Sequence, residues 1–132
     1  MKKEIADKWV AALRSGEYEQ GTEALHAFET HLVHDRTRKR GFCCLGVLCE
    51  VAIKEGAPVE KSISAYDSRT ERYNGENCVL PREVMDWSGI KSPTGDIDMP
   101  ADKDDICLTD INDTGKTFAE IADIIEQHWE RL

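Results

Sequence analysis

The stretch GFCCLGVLCE, residues 41–50, holds three of the chain's five cysteines. Thiols so close together could hold zinc, act as a nucleophile, pair as disulfides, or simply line a core. Structural zinc calls for ligands spaced two to four residues apart on a knuckle that aims both sulfurs at one centre. Cys43 and Cys44 are adjacent, and four residues separate Cys44 from Cys49. Adjacent side chains diverge, so even with Cys78, Cys107, His31 and His34 as completing ligands the spacing argues against a metal centre, and none is expected. Disulfides suit a cytosolic chain poorly, and an odd number of cysteines leaves one over. A nucleophile at Cys44 would gain from a helix beginning there, because free N–H groups and the helix dipole favour thiolate. Yet the chain has no Cys-x-x-Cys and no Cys-x5-Arg loop, and His26, His31, His34 and His128 could approach Cys44 only through the fold. Buried cysteines behave as small apolar side chains. Packing accounts for the segment without chemistry, and no catalytic residue is assigned.

A second stretch, NDTGKT at 112–117, offers a ligand site. GKT resembles the end of a phosphate-binding loop, but the leading glycine of that motif is replaced by Asp110. What remains is a tight turn with a lysine beside a helix start, where backbone N–H groups attract anions. Asn112, Asp113, Gly115, Lys116 and Thr117 are therefore the candidate ligand-binding residues. In this reading Asn112 and Asp113 are polar readers, Lys116 meets the anion, and Thr117 caps the helix. The competing account is a capped helix start with no ligand. The carboxylates of DIDMPADKDD lack the spacing and glycine of a calcium loop. A third feature is HDRTRKR at 34–40, where Arg36, Arg38, Lys39 and Arg40 cluster without an aromatic residue for base stacking. It reads as a solvated loop or strand edge, with a local anion or RNA contact as the sharper alternative.

These stretches must be positioned by the elements around them. Ile5, Ala6, Trp9, Val10 and Leu13 recur at helical spacing, and Gly16 ends the run. Residues 17–28 look like strand and loop, and Arg40-Gly41-Phe42 like a short strand. Residues 44–53 are apolar nearly all round and stop before Gly56 and Pro58, which marks a central core helix. Residues 57–70 form a polar connection. Asn74-Gly75 predicts a hairpin turn between Tyr73 and the run Cys78-Val79-Leu80. LPREVMDWSG makes a short helix with Pro81 in its first turn, and residues 91–105 make an exposed loop. ICLTDIND, residues 106–113, is expected as a strand. The final helix opens with the capping box of Thr117 and Glu120. The expected whole is one α+β domain over residues 1–132. Long terminal helices and a buried central helix pack on a small sheet.

Composition sets the outer bounds. With 132 residues, 40% hydrophobic and 33% charged, the chain suits one soluble globular domain. No run is apolar enough to span a membrane, and the N-terminus lacks the apolar stretch of a signal peptide, so a cytosolic setting is expected. The net charge of −9 is concentrated late: residues 95–132 carry 11 acidic and 3 basic side chains. Such a field disfavours general nucleic-acid binding. Phe28, Leu32 and Val33 have no evident place in the core, which points to contacts with a partner or between subunits of a homo-oligomer.

Four pieces, KWVAALRSGEYEQG, FCCLGVLCE, LPREVMDWSGI and LTDINDTGKTFAEIADIIE, together resemble a family of small uncharacterised proteins of tailed bacteriophages. CCLGVLC and NDTGKTFAEIAD are the most specific of them, and about half of the chain is covered. The resemblance brings no catalytic residues, no metal and no cofactor. It implies a setting, the cytoplasm of an infected bacterium, and an accessory role outside the virion. The expected function is a binding protein that counteracts host defence, by sequestering a small anionic or nucleotide-like signal or by gripping a host protein. The alternative is a small enzyme using Cys44 or the Asp110 and Asp113 carboxylates.

Overall fold

Trp9 shows how the first helix is fixed. In the computed structural model, which describes residues 1–132, α1 (Lys3–Arg14) buries Ile5, Ala6, Trp9, Val10 and Leu13 on one stripe. The Trp9 indole N–H donates to the Cys44 carbonyl at 2.8 Å, which satisfies a buried donor and ties the helix to the cysteine segment. That segment is α2 (Cys44–Lys54), and eight of its residues are buried, including Leu45, Val47, Leu48, Cys49, Val51 and Ala52. Its apolar perimeter puts it at the centre, with α1 packed along one side.

Between these helices lie four short strands: β1 (His26–Ala27), β2 (His31–Val33), β3 (Arg36–Arg38) and β4 (Gly41–Phe42). Beyond α2 come β5 (Lys61–Ile63), β6 (Glu71–Tyr73), α3 (Arg82–Ser88), β7 (Asp96–Ile97), β8 (Ile106–Cys107), α4 (Leu108–Asp113) and α5 (Phe118–His128). The strands pair antiparallel as β1–β4, β2–β3, β5–β6 and β7–β8, each a separate two-stranded ladder. The fold is α+β, but the helices pack on one another, not on a common sheet. α3 and α4 meet α2, and α5 lies along α1. Trp9, Leu45, Leu48, Ile97, Leu108, Ile121 and Ile125 are fully buried in the resulting core. Each contributes about 1.5–3 kcal/mol by leaving water.

Gly46 explains how the loop before β1 reaches this core. A Cβ at position 46 would stand 1.8 Å from the Leu25 carbonyl oxygen, so only glycine lets residue 25 cross the start of α2. The crossing is fixed by Cys43 N–H donating to Leu25 O at 3.2 Å and Leu25 N–H donating to Asn77 O at 2.7 Å.

Three expectations need correction. ICLTDIND is a strand only at Ile106–Cys107. From Leu108 it is helix, because Leu108 and Asn112, one helical turn apart, are both buried. The Asn74-Gly75 turn forms, with both residues at positive φ, but only a single bridge from Tyr73 to Glu76 follows it. Beyond it, Asn77 O accepts from Leu25 and Leu80 N–H donates to Pro93 O, so the backbone of 77–80 serves other partners and β6 pairs with β5. The loops 57–70 and 91–105 each hold a strand, and Ile97 in the second is fully buried.

Candidate functional site

The turn from α4 to α5 is built around Asn112, which is 1% exposed. Its Oδ1 accepts from Cys44 N–H at 3.2 Å and from Gln20 Nε2 at 3.1 Å, and its Nδ2 donates to Gly21 O and to Asp113 Oδ1, both at 3.0 Å. With four bonds the amide is fully engaged, and it joins α4 and the start of α2 to the loop after α1. Gly115 has φ 109°, a value L side chains rarely adopt, and reverses the chain. Thr117 then caps α5: its hydroxyl accepts from Glu120 N–H, and the Glu120 carboxylate accepts from Thr117 N–H at 2.8 Å. The Thr117 N–H first, and then the Thr117 hydroxyl, which lies 3.2 Å from Glu120 Oε2, hold the Glu120 carboxyl below its usual range. Phe118 N–H donates to Gln20 Oε1 at 3.0 Å.

The donors expected to be free at this helix start are therefore largely taken by Gln20, Thr117 and Glu120. Asn112 is likewise occupied inside the protein. Gln20 contributes to both, and its amide also donates to Lys116 O at 2.7 Å. An anion at this place must draw on side-chain cations instead, and the structure brings them from the other end of the sequence.

Across from the turn stands the β2–β3 hairpin with its basic run. A cleft of about 480 Å³ separates the two, lined by Thr22, Glu23, Arg36, Thr37, Lys39, Asp113, Thr114 and Gly115. A second cleft, of about 180 Å³, has Gln20, Thr22, Lys39, Asn112, Gly115 and Lys116 on its walls. Neither has a hydrophobic residue in its lining. Three members of the basic run are already paired: Arg36 with Glu23 at 3.4 Å, Arg38 with Asp67 at 3.6 Å, and Arg40 with Glu19 at 3.3 Å. Arg38 is turned inward and 8% exposed. Lys39 is exposed and makes no ion pair, while Lys116 stands 3.9 Å from Glu120.

Asp113 forms the opposing feature. It is half-buried, and its Oδ1 accepts from Glu23 N–H at 3.1 Å as well as from Asn112. Burial raises its pKa above the ordinary aspartate value, and the charges of Glu23 and Asp110 add to the rise against those two hydrogen bonds. Asp110 itself is exposed. Asp113 and Glu23 also border a pocket of about 190 Å³ with Ala24, Cys43, Cys78, Thr94 and Thr109. The structure thus joins Asp113, Gly115 and Lys116 to Thr22, Glu23, Arg36 and Lys39.

The cysteines at and after the start of α2 are buried. Cys44 is fully buried, its thiol 3.6 Å from Leu108 O, and burial pushes its pKa well above the usual thiol value. Cys43, not Cys44, is the N-cap: its Sγ accepts from Gly46 N–H, and burial raises its pKa to about 12. No three His, Cys, Asp or Glu side chains stand where one ion could join them.

One cluster was not visible in the sequence. The Tyr73 hydroxyl lies 2.8 Å from Glu50 Oε1 and 3.4 Å from Glu71 Oε1, and Lys61 Nζ reaches the same two oxygens at 3.0 and 3.5 Å. His26 Nδ1 is 3.0 Å from Glu71, and its ring stacks on Phe42 at 3.7 Å. Burial first, then both carboxylates, drives the Tyr73 pKa up. These residues are scattered over 48 positions and share no spacing motif. Gln20 and Glu23 were missed for a similar reason, since they lie in an irregular segment where periodicity carries no signal. The pointers to the larger cleft in the sequence are the basic run and the turn residues Asp113 and Gly115.

Fold and site together define a small α+β domain with a polar cleft of mixed charge. The chain belongs to a family described as a domain of unknown function (DUF8296), which matches residues 1–129. No curated protein and no solved structure matches it. No helix is long and apolar enough to cross a membrane.

Proposed function

We propose that this protein is an accessory binding protein of a tailed bacteriophage. Its role would be to hold a small anionic, nucleotide-like signal of host defence, in the cytoplasm of the infected cell. One observation carries the binding reading: the basic run and the Asp113–Lys116 turn, far apart in sequence, face each other across two polar clefts that share Thr22, Lys39 and Gly115. Lys39, free of ion pairs, supplies the anion's charge partner, with Arg36 and Lys116 to either side. The phage setting rests on the resemblance of CCLGVLC and NDTGKTFAEIAD to phage proteins. Calorimetry with phosphate-bearing nucleotides tests the binding. The Lys39→Ala protein should keep its melting temperature and bind about tenfold more weakly, the effect of losing one charged partner. Equal binding by both proteins would remove the cleft from the account. Turnover of the added nucleotide would shift the reading to the enzyme.

A protein partner or a second copy has its own supporting observation. Phe28 is 40% and Leu32 71% exposed, beside the same hairpin. Large apolar side chains left exposed on neighbouring stretches of chain favour contact with another surface. Light scattering across a wide concentration range checks self-association, and a constant monomer mass would exclude it.

A further inference from the structure

The proposed cleft has a composition that narrows its ligand, and the inference rests on that reading. We infer that the cleft reads the sugar and phosphate of its ligand and leaves any nucleobase unread, so that its ligand class is the phosphorylated polyol.

Three features carry this. The walls are wholly polar: the larger cleft takes Thr22, Thr37 and Thr114 together with charged residues, and no aromatic or aliphatic side chain lines either cleft. A base is normally held by stacking on an aromatic face or a guanidinium plane, and by an apolar slot. The one guanidinium present, on Arg36, is drawn toward Glu23. Second, charge of both signs faces the same space. Arg36 and Lys39 stand on the hairpin side, with Lys116 in the adjoining cleft, and Glu23 and Asp113 stand on the other. A bare inorganic anion would meet the cations and be repelled by the carboxylates. A ligand that carries an anionic group and several hydroxyls satisfies both, since ionised carboxylates accept only and need donors.

Third, the Asp113 carboxylate is presented, not loose. Glu23 N–H and Asn112 Nδ2 both engage Oδ1, and no protein group bonds to Oδ2. Glu23 is held with φ 65° at the point where its N–H meets Asp113, so the two carboxylates sit on one short, fixed stretch of wall. The Lys39 N–H donates to Thr22 Oγ1, and the Thr22 hydroxyl donates to Thr37 O, which fixes the floor between the two clefts. Hydroxyl donors from a sugar are the groups this arrangement lacks.

Calorimetry with four probes settles the matter: inorganic phosphate, adenosine, ribose 5-phosphate and adenosine 5′-monophosphate. Ribose 5-phosphate and the nucleotide should bind within about threefold of each other, and adenosine should give no heat, because a base without a partner adds little. Asp113→Asn and Glu23→Gln should each weaken ribose 5-phosphate by about tenfold or more and leave inorganic phosphate no weaker, as expected when a buried hydroxyl loses its acceptor. Thermal melts of both variants confirm that they are folded, and Glu23→Gln leaves the Glu23 main-chain bond to Asp113 in place. Nucleotide binding more than about tenfold tighter than ribose 5-phosphate would mean that the base is read and would overturn this inference while leaving the cleft a binding site. Carboxylate variants that bind ribose 5-phosphate as well as the parent would overturn it too. Failure of every phosphate-bearing probe to bind would remove the proposed function along with it.

Discussion

Asn112 makes four hydrogen bonds from inside the protein, and no other side chain at the turn could replace it. Asn112→Ala leaves the Cys44 N–H without a partner in the core and frees the Gln20 amide that covers the start of α5. An unsatisfied buried polar group costs about 1–3 kcal/mol, so this variant should lose at least that in urea unfolding, while Lys116→Ala should lose almost nothing. Asp113 behaves in the opposite sense. Its folded pKa lies above its unfolded one, so the stability it contributes is present below the unfolded aspartate value and is lost as pH rises through the folded value. At neutral pH the charged carboxylate is therefore a burden on the fold. Asp113→Asn, whose side-chain oxygen can still accept from Glu23 and Asn112, should melt higher than the parent at pH 7. The gap should close near pH 3, below the range of a free aspartate at about 3.9. A variant that is more stable yet binds less well marks a residue kept for function. Cys49→Ser puts a hydroxyl among fully buried neighbours and should cost roughly 1–3 kcal/mol by chemical denaturation.

At the level of elements, four of the five helices are legible in the sequence, and of the strands only β4 and β8 are. α1, α2, α3 and α5 follow from apolar spacing, glycine stops and a capping box, all of which are local. The β ladders are two or three residues long, too short for alternation to show, and their partners are chosen by long-range bonds such as Leu25 to Asn77. α4 was mistaken for a strand because six residues carrying Leu108, Ile111 and Asn112 fit either period. The buried amide of Asn112 decides for the helix, and a polar side chain is not counted among core positions when a sequence is scanned. The same limit applies to the site: the turn 112–117 was visible, whereas Gln20, Glu23 and the facing role of Lys39 depend on chain crossings. One of those crossings offers a sharp check. Gly46→Ala improves helix propensity, yet its methyl would overlap the Leu25 carbonyl at 1.8 Å, so the protein should lose more than about 4 kcal/mol or fail to fold. At the other end of the scale, Thr117→Ala should cost about 1 kcal/mol in thermal melts, the usual worth of an N-cap.

Over the whole molecule, charge is segregated. Residues 95–132 hold 11 acidic and 3 basic side chains, Asp113 among those that line the cleft, and the positive charge of the two clefts comes from Arg36 and Lys39 of the hairpin and from Lys116. Phosphate affinity should therefore fall as salt is raised from about 0.05 to 0.5 M, since exposed cations are screened over a few ångströms at the upper value. Titrations at several ionic strengths measure this directly.

The docking of α5 along α1 has one more result. It brings the two chain ends together: the Met1 amino group donates to Leu132 O at 2.5 Å and to Trp129 O at 3.2 Å. A backbone whose ends already touch can be rewired. A few glycine and serine residues would close it into a ring, and the ring could be opened at Asn74-Gly75, an exposed turn remote in sequence from the cleft. Such a circular permutant would carry every side chain of the cleft in its present place. Its phosphate affinity should match that of the parent, and its α1–α5 pair would be joined by a covalent tether.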